Sequence, residues 1–214
     1  MNRISLTALA AALSLTGGCL PSAEQVRNSA DDAGAHISSG LKKPDEWSFA
    51  LRPTAKMIPD GPVTGMANGR SFAVKTVIFQ PFFDNWNLGL YAAEAADPLD
   101  IVGEGEYISV ELPRDIEAGR TYTHPMEYGD GYFQIQSPDS PSETTSWNAE
   151  NAWVLEITSW DVRPYDPEGD LFQTAGTASG RIYVSYKGSG DFKNSGAAGT
   201  FENAVVRYMG DPGW

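Results

Sequence analysis

Read for hydrophobic and polar positions, the chain changes character near residue 46. Beyond that point apolar side chains recur at every second position in run after run. Trp86, Leu88 and Leu90 alternate with Asn87 and Gly89; Ile108, Val110 and Leu112 with Ser109 and Glu111; Phe133 and Ile135 with Gln134 and Gln136. Trp153, Leu155 and Ile157 repeat the pattern, as do Ile182, Val184 and Tyr186. A period of two sends successive side chains to opposite faces of an extended strand, so each run predicts a strand buried on one side. Ser71 to Phe79 reads the same way, with Phe72, Val74 and Ile78 on one face, and a short strand is expected near Trp47 to Leu51. In the last run Phe201 has the opposite parity from Ala204, Val206 and Tyr208, which a single bulge at Glu202-Asn203 reconciles. Gly, Pro, Asp and Asn gather between the runs. About eight strands without a useful amphipathic helix predict one all-β domain over residues 46–214, an antiparallel β-sandwich first and a barrel second.

Residues 19–45 have another texture, rich in Ser, Ala, Asp and Gly, without an aromatic residue, and closing on Lys42-Lys43-Pro44. No apolar stripe runs through them, so they read as a flexible tether. Residues 1–18 differ again: Arg3, then a small and apolar run from Ile4 to Leu15, then Thr16-Gly17-Gly18. That is the layout of a secretory signal peptide. The run is well short of the roughly 20 apolar residues that cross a bilayer.

The segment Leu13-Ser14-Leu15-Thr16-Gly17-Gly18-Cys19 resembles the lipobox of bacterial lipoproteins. It departs from that pattern at one place, where Thr16 stands three residues before the cysteine and Leu15 one further back. The resemblance implies cleavage before Cys19, acylation of Cys19 and attachment to a membrane of the cell envelope through that lipid. Several acyl chains hold a protein at a membrane stably where one chain does not. Leu20 follows where an Asp would resemble an inner-membrane retention signal, which favours the outer membrane. Cys19 is the only cysteine, so no disulfide can form within the chain.

Charge narrows the partners. Loss of residues 1–18 removes Arg3 and moves the formal net charge from −13 to −14. A surface this acidic is repelled by a phosphate backbone, so nucleic acid is not an expected partner. Of the two histidines, His36 lies in the tether and His124 in a polar stretch, Thr123-His124-Pro125. The Gly-x-Ser-x-Gly elbow is missing, and Gly188-Ser189-Gly190 reads as a turn. These features leave little for nucleophilic catalysis or for zinc and copper, which want several His or Cys ligands. No cofactor is expected. Calcium takes carboxylate and carbonyl oxygens, so Asp161 with Asp166, Glu168 and Asp170 is the acidic group to watch, with Asp97, Asp100, Glu104 and Glu106 second.

With the inward faces assigned as above, Tyr107, Tyr132, Trp160 and Tyr183 point outward, and Trp147 stands in a polar loop from Ser137 to Asn151. Outward aromatics stack on sugars, pack against protein partners, or pair across strands to stabilise the sheet. The strands opened by Ala178-Ser179-Gly180-Arg181-Ile182 and Ala198-Gly199-Thr200-Phe201 resemble those closing many secreted bacterial β-sandwich proteins. The expected function is a non-enzymatic, lipid-anchored envelope protein that binds another envelope or surface protein. A carbohydrate-binding module is the alternative, and a carboxylate-based hydrolase the third reading.

Overall fold

The structure, a computed structural model, describes residues 50–100, 105–126, 135–140, 143–147, 149–188 and 193–214, with the backbone alone for 135–140 and 143–147. The export segment, Cys19, the tether and Tyr132 lie outside these residues. Eleven strands are described: β1 Thr64–Ala67, β2 Arg70–Ala73, β3 Thr76–Phe82, β4 Asn85–Tyr91, β5 Tyr107–Leu112 and β6 Thr121–His124. They continue as β7 Ile135–Ser140, β8 Glu143–Trp147, β9 Asn151–Val162, β10 Phe172–Tyr186 and β11 Ser195–Met209. All belong to one sheet in the order β6-β9-β10-β11-β3-β4-β5-β7-β8, with β1 and β2 attached beside β11. The protein is all-β, and its sheet curls into a half-barrel.

Two features correct the expected antiparallel sandwich of eight strands. The sheet is mixed, because β11 pairs with β3 in parallel at Val205–Ile78 and Val206–Phe79. The Ser71–Phe79 run is also two strands rather than one. Asn68-Gly69, both at positive φ, forms the tight two-residue turn of the β1–β2 hairpin. The chain then breaks at Val74-Lys75 before β3 begins, and parity restarts there. Phe79 therefore joins the main core, while the buried Ile78 beside it faces the other way. Of the strand expected near Trp47 to Leu51, residues 47–49 lie outside the described part and Ala50 and Leu51 are not in a strand, while the expected Ser137–Asn151 loop contains the β7–β8 hairpin. Serine and threonine backbones pair there without the apolar alternation that marks the other strands.

The curl comes from bulges in the three long strands. Opposite Ser179-Gly180 of β10, β9 carries one extra residue at Thr158 and β11 one at Glu202-Asn203. Asn203 has φ +52° and its N–H bonds the Ser179 hydroxyl at 3.0 Å. A side chain at Gly180 would collide with the Glu156 carbonyl oxygen, so the close approach of β9 and β10 at this bend requires glycine. Bulges raise local twist and bend a strand. Aligned across three neighbours, they fold the sheet over its own inner face.

That inner face holds the main core. Trp86, Leu88, Leu90, Ile108, Val110, Leu112, Trp153, Leu155, Ile157, Ile182, Val184 and Tyr186 all bury there, as their alternation predicts. The Tyr186 hydroxyl donates to the Ser109 carbonyl at 2.5 Å, tying β10 to β5. Two segments cover parts of the outer face. The register sets Val154, Tyr183 and Ala198 side by side on β9, β10 and β11, and Ala50, Met57 and Ile58 close over them. The loop after β4 is pinned by Arg207 of β11. Its Nη1 donates to the Pro98 carbonyl (3.0 Å) and the Asp100 carbonyl (2.6 Å), and its Nε and Nη2 to Gln80 Oε1 (3.1 and 2.9 Å).

Candidate binding surface

Among the described residues the aromatics expected to face outward, Tyr107, Trp160 and Tyr183, do not share one exposed face. Trp160 is inside. The extra residue at Thr158 flips the parity of β9, so Trp160 packs edge-on against Phe79 (5.3 Å between ring centres) and Trp86 (5.4 Å). Tyr183 does point away from the main core, yet it is wholly buried under Met57 and Ile58, and that burial raises its phenol pKa. Tyr107 keeps its outward place, half-buried and stacked on its cross-strand neighbour Tyr91 at 4.5 Å. This is the stabilising pair that a sheet face commonly carries. Trp147 ends β8, and its side chain is outside the described part.

The acidic turn is a closed structure of its own. Asp166 Oδ1 accepts the Glu168 N–H (3.0 Å), while Gln173 Nε2 donates to the carbonyls of Asp166 (2.7 Å) and Asp170 (2.6 Å). Asp161 stays on β9 opposite Thr177. Among the described residues no three His, Cys, Asp or Glu side chains are grouped to hold a metal ion, the calcium candidates Asp161, Asp166, Glu168 and Asp170 included.

His124 is also misplaced by the sequence reading. It belongs to β6 rather than to a loop, pairs with Trp153 and stacks on its ring at 5.7 Å. Among the described residues His124 Nε2, Trp153 Nε1 and Asn151 Oδ1 are buried without a hydrogen-bond partner, each an unfavourable state of a polar atom.

What the surface does present is a row of apolar side chains at one end of the sheet. Phe172 of β10 lies opposite Met209 of β11, and the parallel register of β11 and β3, carried three residues on, brings Met209 level with Phe82. Leu171 and Phe83, the sequence neighbours of Phe172 and Phe82, are exposed as well. Phe83 is 81% exposed, Leu171 61% and Phe172 48%. The Phe83 conformation is held rather than loose: it takes φ +51° in the β3–β4 turn, its ring meets Phe82 edge-on at 4.6 Å, and its carbonyl accepts the Trp214 Nε1–H at 3.2 Å. Arg114 lies over Trp214 at 4.7 Å. Exposed Asp84, Asp170 and Asp211 border the row along the chain. Isolated apolar residues on a surface are ordinary; several large ones at one end of a sheet are the less usual feature.

Sequence reasoning missed Phe83, Leu171 and Phe172. The available signal was local: two adjacent aromatics at a hairpin tip, and an apolar pair directly after an acidic turn. The all-β half-barrel with this row is the class of protein that the fold and surface define. No protein-family model matches the chain, and no curated protein or solved structure is significantly similar to it.

Proposed function

We propose that this chain is a lipid-anchored, non-enzymatic envelope protein that binds another envelope or surface protein through the row containing Phe83, Leu171 and Phe172. The observation that carries the reading is the exposure of those three large side chains at the ends of β3 and β10, the strands that flank β11 in the sheet, since burying a large apolar side chain is worth about 1.5–3 kcal/mol. The lipobox-like segment ending at Cys19 supports the anchor, with outer-membrane placement favoured.

The geometry suits the role. Ala50, where the described chain begins, bonds the Ser185 hydroxyl near the last residues of β10, while Phe172 is the first residue of that strand. At about 3.3 Å per residue the two ends are roughly 40 Å apart along the strand. A tether entering beside Ser185 would direct the apolar row away from the anchoring membrane. Of the aromatics behind the carbohydrate-binding alternative, Tyr183 is buried and Trp160 is partly buried against the core.

A photoreactive amino acid placed at Phe83 of the full chain in living cells tests the reading. Cross-linking to one discrete protein from position 83, and not from the exposed Arg70 of β2, is the expected result. Equal labelling from both positions would remove the surface from consideration. Metabolic labelling with a clickable fatty acid tests the anchor separately, with label expected on the natural chain and absent from Cys19→Ser.

A further inference from the structure

The edge of β11 away from β10 is shared by two strands that diverge. β1 pairs with Gly196 to Ala198, Pro62 bridges to Thr200, and β3 takes over at Val205. Where they part, at the Glu202-Asn203 bulge, a cleft of about 390 Å³ opens beside the loop after β4. Val63, Val77 and Phe201 line its inner part. Three exposed charges line it as well, each from a different segment: Lys75 before β3, Glu94 from the loop, and Glu202 from the bulge. Among the described residues none of the three has an ion-pair partner, although they share one small cleft.

The walls are built in place. Val63 N–H donates to the Thr200 carbonyl (3.1 Å), Thr200 N–H to the Gly61 carbonyl (2.7 Å) and Val74 N–H to the Val63 carbonyl (3.2 Å). Lys75 N–H donates to the Tyr91 carbonyl (2.9 Å), and Ala95 N–H to the Thr76 hydroxyl (3.0 Å). Pro98, which also lines the cleft, is held through its carbonyl by Arg207. A preformed cleft of this size with an apolar interior and a few charged groups is the usual form of a small-ligand site.

We propose that this cleft binds a small zwitterion with an apolar body, a hydrophobic amino acid or short peptide with free ends. An ammonium group would meet Glu94 and Glu202, a carboxylate would meet Lys75, and an apolar side chain would replace water against Val63, Val77 and Phe201. A ligand of a single charge would bring a like charge up to one wall, so the mixed mouth selects for both charges on one molecule. The inference is independent of the apolar row at the end of the sheet.

The probe is the dipeptide leucyl-leucine, titrated calorimetrically into the purified full-length protein beside its N-acetyl, C-amide form. The free dipeptide should bind with millimolar or tighter affinity, shift backbone amide resonances at Lys75–Val77 and Thr200–Val205, and lose about tenfold or more when both ends are capped. Lys75→Glu, an exposed change that leaves the walls intact, should weaken leucyl-leucine by about tenfold while leaving leucyl-leucine amide unchanged or tighter. Equal binding of capped and free forms, shifts mapping elsewhere, or no heat and no shifts in the millimolar range would each overturn the proposal.

Discussion

Arg207 offers the sharpest test of how the outer face is held. Arg207 is 3% exposed and has no carboxylate partner among the described residues; its N–H groups go to Gln80 Oε1 and to the carbonyls of Pro98 and Asp100. Burial lowers its pKa, the mark of a charge kept in an unfavourable medium. Replacing it by Met keeps the apolar stem and removes the bonds. Hydrogen bonds from a charged donor are worth about 1.5–3 kcal/mol each, and three acceptors would be abandoned. Two effects reduce the loss. The loop carbonyls regain water if the loop lifts, and deleting a desolvated charge relieves its burial cost. The net prediction for Arg207→Met is a loss of about 2–4 kcal/mol, a large part of the roughly 5–15 kcal/mol that holds a domain together. Urea unfolding should show a lower midpoint at unchanged slope, and hydrogen exchange should accelerate for the amides of 95–100. A variant within about 0.5 kcal/mol of the natural protein, the range of a neutral surface change, with unaltered exchange in that loop, would refute the clamp.

Further expectations follow from the same structure. Gly180→Ala should destabilise by about 3 kcal/mol or more, because the added carbon meets backbone rather than a movable side chain; thermal unfolding checks it, and a loss below about 1 kcal/mol would mean that the bend can shift at little cost. His124→Phe keeps the stack on Trp153 and removes one unpartnered buried nitrogen, so stability should rise by about 1–2 kcal/mol; a fall would show that His124 Nε2 has a partner in solution. Burial raises the pKa of Tyr183 and Tyr186 above 10.0. Their contribution is therefore full below about pH 10 and lost as the pH rises beyond it, by up to about 1.4 kcal/mol per pH unit for each residue. Urea midpoints measured across that range should fall, and Tyr183→Phe should flatten the fall; a flat profile in the natural chain would contradict the burial.

The strands that bury one face were legible because their alternation is unbroken, as in Ile108-Val110-Leu112 and Ile182-Val184-Tyr186. The bulge at Glu202-Asn203 was legible too, since Phe201 and Ala204 have clashing parities and only an extra residue brings both inward. Its counterpart at Thr158 left no such trace. Thr158 and Ser159 are both polar, so nothing in the sequence distinguishes Trp160 pointing out from Trp160 pointing in. Tyr183 failed differently. Its orientation was read correctly, but its cover comes from Met57 and Ile58, more than a hundred residues away and without periodicity of their own. The parallel β11–β3 pair and the row joining Leu171 and Phe172 to Phe83 depend on which strands become neighbours. Local pattern carries no information about that.

The central claim is that the apolar row is a docking surface of an envelope-anchored protein. The most direct test compares affinity capture from gently cross-linked cells for the natural chain and for Phe83→Ser, Leu171→Ser, Phe172→Ser combined. These side chains are exposed, so the variant should fold, which circular dichroism can verify. The account predicts a stoichiometric protein partner with the natural chain and its loss with the folded variant. The same partner recovered equally from both would contradict it.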